Sequence, residues 1–489
     1  MRTLKAAAVL VLVGALANGC SSAPDAPGSG SAHATVSTGD ERTIATVRLE
    51  RWALGMQTLT QRGFDVAGVD LDASEVDLVV DADELAELES AGFTIVREVA
   101  VPFAAAPEPG YKSPAAVKEI LHDFGARFPS LATPVSIGQS HQGRDIWALR
   151  IATRGHDPKK PAILFNGMHH ARELMTVEVP LDTIETLLTG YGADPRVTHW
   201  VDANEIWVVP MLNVDGNQQV WAGDSMWRKN ARGCPASGAC ASRTGVDINR
   251  NYPYGWGSCN GSSSSQSADN YRGPSAASEP ETQAMMRFVD QVRPVLDLSY
   301  HSYSELVLYP YGCSGQYAQT RSLFEDIGGK MAARLPRDQG TGTYRHGTPW
   351  QLLYSADGGD IDWMYSEFSV AAFAIELNGT RQGFRPSYAT WRAPTVTKLR
   401  AAWQLLLDRL DESGVRGFVH GPSGDAVADA RVDLVSSAGT ESRRLNADGS
   451  FHFLVAPGTY RVEVVRDDGT VRRAEATVAG ARVNLDLEL

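Results

Sequence analysis

The stretch NGMHHARELMT, Asn166 to Thr176, sets His169 and His170 four and three residues ahead of Glu173. An imidazole and a carboxylate at such spacing can share one divalent cation. A hydrolytic zinc keeps three protein ligands and one position open for water, and H-x-x-E with a distant histidine is one way to supply them. Taken alone, the pair fits polar residues at a helix start equally well. A second chemical signal is Glu376, in FAIEL (Phe373 to Leu377). A lone carboxylate in an apolar run is costly unless it is paired or has a task. Asp247, in GVDINRNY, reads by itself as a turn cap, and Arg228, in MWRKNARG, as a solvated loop arginine.

These residues need a frame. PAILFNG reads as a strand, so His169, His170 and Glu173 fall on the loop leaving it and at the start of the next helix, where the sites of α/β folds gather. DIWALRIA, EIWVVPML and VLDLSYHS are further apolar β-rich runs, while TVEVPLDTIETLLTG and PETQAMMRFVDQV have helical spacing. In SPAAVKEILHDFG, Ser113 caps, Pro114 takes the first helical position, and Val117, Ile120, Leu121 and Phe124 form one apolar face. The alternation predicts an α/β fold with a mixed, mainly parallel sheet and helices on both faces. Upstream, EVDLVVDADELAELESAGFTIV reads as strand, helix, strand, with Asp81 and Glu84 spaced as a capping box and Gly92 as the stop. After Ser413 the texture changes to short strands and tight turns, which predicts a separate small β-sandwich.

Read together and in order, HHARE, MWRKNARG, GVDINRNY, YHSYSELVLYPYG, YSADGGDIDW and FAIEL resemble the zinc carboxypeptidases of the carboxypeptidase A class, above all the secreted bacterial members of the carboxypeptidase T type. The resemblance spans about Tyr111 to Glu412. It implies that His170, Glu173 and His301 bind one Zn2+ and that His169 stays outside the ligand set. It makes Asp247 the carboxylate that accepts the other ring N–H of His170 and fixes its tautomer. Glu376 becomes the base that takes a proton from the attacking water and returns it to the departing amine, and Arg228 the cation facing the developing oxyanion. Asn249 and Arg250 would bind the substrate's terminal carboxylate, for which guanidinium geometry is suited. Tyr354 matches a mobile tyrosine that closes over that terminus, and Arg172 an auxiliary subsite residue. Ile361 stands where relatives that release Lys or Arg carry an acid, which implies an apolar or aromatic terminal residue. Asp360 beside it, Pro349 in the pocket wall and Ala374 in place of a threonine leave room for mixed specificity. By analogy with thermostable relatives, structural Ca2+ is a further expectation without named ligands.

The chain of 489 residues, 43% hydrophobic, is long enough for two or three folded units. Its net charge of -13 excludes a polyanion-binding face, so no nucleic acid is expected. Residues 1–20 read as an export signal, with Arg2 and Lys5 before a short apolar run and an end that resembles a lipoprotein box at Cys20, which implies either a lipid anchor to the membrane or ordinary signal-peptidase cleavage and secretion. Residues 21–40 read as a flexible tether. Residues 41–107 resemble a bacterial carboxypeptidase prosegment removed by an activating protease, residues 111–412 the catalytic domain, and residues 414–489 a transthyretin-like regulatory domain. The other cysteines, Cys234, Cys240, Cys259 and Cys313, suggest two disulfides outside the cytosol, with three pairings open. Peptides and proteins are the expected substrates. Two rivals remain: a hydrolase of cell-wall peptides or amidated amino acids, and an inert surface metal-binding module. Retention of Asn249, Arg250 and Tyr354 argues against the first, and of Glu376 against the second.

Overall fold

The computed structural model describes residues 42–101, 106–153, 160–235, 240 and 244–489. The signal, Cys20 and the tether lie outside the described residues. The N-terminal unit runs β1 (Arg42–Arg48), α1 (Trp52–Arg62), β2 (Asp65–Asp70), β3 (Glu75–Val80), α2 (Ala82–Ser90) and β4 (Thr94–Val101). Its strands form an antiparallel sheet in the order β2-β3-β1-β4. The capping box is present: Glu84 N donates to Asp81 (2.9 Å) and Asp81 N to Glu84 (3.0 Å). The strand–helix–strand read from Glu75 onward is therefore the second half of the unit. Its first half was not legible, because α1 buries only Met56 and Leu59.

The central unit follows as α3 (Pro114–Arg127), β5 (Ala132–Gln139), β6 (Asp145–Ile151), β7 (Ala162–Gly167), α4 (Met175–Gly190), α5 (Pro195–Ala203), β8 (Glu205–Val209) and α6 (Val214–Ala222). It continues with α7 (Pro280–Val292), β9 (Leu296–Ser302), β10 (Leu306–Leu308), α8 (Arg321–Ala332), β11 (Arg345–Gly347), α9 (Pro349–Leu352), α10 (Asp360–Phe368), β12 (Ala371–Leu377) and α11 (Tyr388–Arg409). Eight strands form one mixed sheet, β11-β10-β12-β9-β7-β8-β6-β5. The central neighbours β12, β9, β7 and β8 are all parallel. Such strands are covered on both faces, which is why β7, β8 and β9 are buried at every residue. One apolar core runs through this sheet and on into the N-terminal unit, where Ala45, Val47 and Leu78 belong to it.

The C-terminal unit pairs a three-stranded sheet, β16-β13-β19, with a four-stranded one, β15-β14-β17-β18. The strands concerned are β13 (Gly414–His420), β14 (Ala430–Ser436), β15 (Gly439–Arg444), β16 (Ser450–Leu454), β17 (Gly458–Arg466), β18 (Val471–Val478) and β19 (Arg482–Glu488). It has its own core around Val432, Phe451 and Val462. Buried Arg443 ties it to the central unit, with Nε donating to Phe368 O (2.6 Å) and Nη2 to Pro294 O. Glu441 accepts from Tyr365 Oη of α10 (2.8 Å) and Thr320 Oγ1 (2.7 Å). Among the described residues no helix is long and apolar enough to cross a membrane.

Candidate active site

Strand β7 ends at Gly167, where a Cβ would lie 2.6 Å from Thr176 O, so only glycine lets the following loop fold back this closely. Met168 then takes a left-handed conformation, φ +59°. The loop is pinned by its backbone: Asn213 Nδ2 donates to His169 O (2.9 Å), Asn217 Nδ2 to Ala171 O (3.1 Å) and Ala171 N to Arg228 O (3.0 Å). Helix α4 starts only at Met175, so Glu173 sits on the loop rather than in the helix.

His170, Glu173 and His301 converge. His170 Nδ1 lies 2.6 Å from Glu173 Oε1 and 3.3 Å from His301 Nδ1, while His301 Nδ1 is 3.4 Å from Glu173 Oε2. All three are buried. Two basic ring nitrogens this close, beside a carboxylate and away from water, are placed so that they could hold one cation among them. The donor set of two imidazoles and one carboxylate fits zinc. Burial opposes ionisation of Glu173, but His170 and His301 hold its carboxyl below the usual range. Burial likewise opposes the charge on His301, yet Glu173 raises it to about 9.

The far nitrogens are also supported. His170 Nε2 faces Asp247 Oδ1 at 3.3 Å. Asp247 also accepts from Asn249 N (2.9 Å), and from Arg228 through Nε (3.2 Å) and Nη2 (2.8 Å). It is therefore both the turn cap and a partner of His170, and Arg228 is paired rather than loose. Burial resists the Asp247 charge, but Arg228 and His170 keep it well below the usual carboxylate range.

Parallel pairing of β12 with β9 sets Glu376 opposite His301. Glu376 lines a cleft that is also lined by His170, Glu173, Arg228, Asn249, Arg250, His301 and Tyr354. Burial pushes Glu376 up to about 7, with Glu173 adding to the shift and His301 opposing it. Arg250 Nη2 donates to Tyr354 Oη (3.3 Å), and its Nε to Gly261 O (3.2 Å). The inner wall is Leu308, Pro349, Leu353, Ile361 and Ala374, with Asp362 among them. Asp362 accepts from Gly312 N (2.8 Å), and burial raises it to about 7.

Arg172 does not reach the metal cluster. It is buried against Asp65 of the N-terminal unit in a bidentate pair (2.6 and 2.8 Å), with Phe384 below its guanidinium at 4.3 Å. His169 lies on the far side of His301: the two rings stack 5.3 Å apart, and its Nε2 faces Asp360 Oδ2 (3.5 Å) and Tyr252 Oη (3.3 Å). Burial pushes His169 down to about 4, so its ring is neutral at pH 7. Sequence reasoning passed over Ser299, whose hydroxyl is 3.2 Å from His301 Nε2. Only a weak signal was there: residues two apart on a strand share a face. Asp65 carried no such sign, because its partner lies 107 residues away.

The disulfides pair Cys234 with Cys240 and Cys259 with Cys313. Among the described residues, two further groups have cation-like spacing: His169, His301 and Asp360, which share a ligand with the first, and His141, Glu279 and Glu281. Asn230 donates to both glutamates and His141 Nε2 pairs with Glu279, so the latter group is a closed polar hub.

Comparison with known proteins agrees with this geometry. The chain is 33% identical over 261 residues to carboxypeptidase A2 of Rattus norvegicus, covering 53% of this chain and 60% of that one. It is 32% identical over 277 residues to a zinc carboxypeptidase of Saccharothrix mutabilis subsp. capreolus, with 53% and 60% covered. The chain thus spans 60% of the length of these relatives. The crystal structure of carboxypeptidase A from Helicoverpa armigera has the same fold, with a TM-score of 0.62 at 24% identity over 76% of this chain and 97% of that one. Residues 414–489 match the carboxypeptidase regulatory-like domain. Residues 117–396, which carry every member of the cluster described above, match the zinc carboxypeptidase family, and to that family the chain belongs.

Proposed function

We propose that the chain is a zinc-dependent exopeptidase that hydrolyses the C-terminal peptide bond of peptides, made as an exported proenzyme. One observation carries the reading: His170, Glu173 and His301 converge at one end of a cleft whose other groups are a carboxylate, Glu376, and a guanidinium–phenol pair, Arg250 and Tyr354. When bound, zinc supplies a Lewis acid that polarises the scissile carbonyl and acidifies water. Glu376, raised to about 7, accepts a proton from the attacking water and delivers it to the leaving amine. Arg228, oriented by Asp247, favours the charge that develops on the carbonyl oxygen. Arg250, Asn249 and Tyr354 hold the terminal carboxylate, so a substrate without a free C-terminus would leave a buried cation unpaired. The walls formed by Leu308, Pro349, Leu353, Ile361 and Ala374 favour an apolar or aromatic terminal residue.

The proenzyme reading rests on the N-terminal unit, residues 41–107. Val66, Ala67 and Gly68 line the same cleft, and Asp65 occupies Arg172. Two disulfides suit an oxidising compartment, in keeping with export, with a lipid anchor at Cys20 as its finer form. The test offers N-blocked dipeptides ending in Phe, Leu, Arg or Lys, plus an amidated one, to protein cleaved after the N-terminal unit. Expected is chelator-sensitive release from free acids alone, fastest from Phe or Leu. Release from the amide, or none from any acid by zinc-loaded protein, would overturn the reading.

A further inference from the structure

His170 has a carboxylate behind it in Asp247. His301 has a hydroxyl, Ser299, at 3.2 Å from its Nε2, and a carboxylate oxygen of Asp360 within 4.8 Å of one of its ring nitrogens. Helix α10 begins with Asp360, which is 1% exposed, and Asp360 N donates to Asn249 Oδ1 (2.9 Å). Its Oδ2 lies 3.5 Å from His169 Nε2 and has no hydrogen bond. His169 in turn stacks on the ring of His301, and its Nδ1 is also buried and unpartnered. Buried unpaired polar atoms are rare and costly, so a carboxylate and a neutral imidazole kept this way against one ring need a reason.

His301 supplies it. With Nδ1 turned to the metal cluster, Nε2 must carry the proton and donate it. Ser299 Oγ accepts at 3.2 Å, and its own proton then needs an acceptor: Asn166 Oδ1 at 3.0 Å, or the Asp360 carboxylate, on which Ser299 also acts. An ionised Asp360 favours both the Nε2–H tautomer and any positive charge drawn onto the ring when Nδ1 binds a cation. The His169 ring fills the remaining face of His301, stacked 5.3 Å from it.

We infer that Asp360, acting through Ser299 and backed by His169, is a positioning residue for the metal ligand His301, as Asp247 is for His170. The inference rests on the proposed zinc site and says how its third ligand is held. Outer partners of metal-binding histidines typically contribute roughly 10- to 100-fold in affinity.

The test compares wild type, Asp360→Asn, Ser299→Ala, His169→Gln and Glu173→Gln as full-length chains. Zinc affinity is read by competition with a chromogenic chelator, the ligand field from the visible spectrum of the cobalt-substituted protein, and folding from the melting temperature of the metal-free form. Asp360→Asn is expected to weaken zinc binding about 10-fold or more and to shift the cobalt bands, while the metal-free protein still melts cooperatively. His169→Gln, which keeps Asp360, is expected to move both readouts less. Wild-type affinity and an unaltered cobalt spectrum in a folded Asp360→Asn overturn the positioning role. If Asp360→Asn does not fold, Ser299→Ala, which removes the hydroxyl through which Asp360 acts, decides: unchanged affinity and spectrum there overturn it as well. If Glu173→Gln binds zinc as tightly as wild type, it is the zinc site itself that fails.

Discussion

At the scale of single residues, carboxyls in and beside the cleft differ in charge because of their surroundings. Asp247 is kept charged by Arg228, Glu376 is poised near 7, and Asp362 is lifted to about 7 mainly by burial. Glu376→Gln is expected to lower the turnover rate by roughly 100- to 10,000-fold while zinc stays bound stoichiometrically; loss of the metal instead would mean a structural role. Asp362 faces Asp360 and Asp357, which raise it, and Arg250, which lowers it. Its folded value lies above the ordinary 3.8, so the folded chain holds a proton that the unfolded chain has lost. The stability it contributes is full below 3.8 and disappears as pH rises through about 7. Asp362→Asn is therefore expected to gain on wild type in melting temperature between pH 5 and pH 8. A difference independent of pH would contradict this. Most of the site was legible at this scale because its residues lie in short local motifs. Ser299 and Asp65 were not legible, the first because a serine in a buried strand reads as an ordinary core hydroxyl, the second because only tertiary contact joins it to Arg172.

At the scale of elements, strand β2 carries contacts between the N-terminal unit and the residues around the cleft. Val69 N donates to Ser304 Oγ (2.9 Å), and Gly68 lies so close to Tyr303 that a Cβ would meet its ring at 2.4 Å. Arg172 and Asp65 are 1% and 6% exposed, and breaking such a pair leaves one buried charge uncompensated, on the order of 3 kcal/mol. Asp65→Asn is thus expected to loosen the N-terminal unit and to raise hydrolysis of long peptides by the uncut chain. An unchanged rate would show that β2 holds without this pair. The core strands β7, β8 and β9 were readable as apolar runs. α1 and β2 were not, since α1 buries only Met56 and Leu59, and Ala67 of β2 clusters with Tyr303 and Phe384 of the central unit.

At the scale of the molecule, the C-terminal unit grips the end of α10, the helix that bears Asp360, Ile361 and Asp362. Arg443 donates to three carbonyls, of Phe368, Pro294 and His452, with burial lowering its guanidinium to about 10. Arg443→Met would leave those acceptors unpaired at about 1–3 kcal/mol each. A lower melting temperature and faster proteolysis near residues 410–414 are expected; an unchanged melting curve would mean that the two units are held by other contacts.

The shared apolar core of the N-terminal and central units has a kinetic consequence. Cutting the connecting chain changes no contact across that core, so scission and release are separate events. The freed segment remains a ligand with its own dissociation constant. If cleavage there activates the protein as proposed, activity appears after the cut with a lag set by the dissociation rate of the segment, and its final level rises on dilution and falls when purified segment is added back.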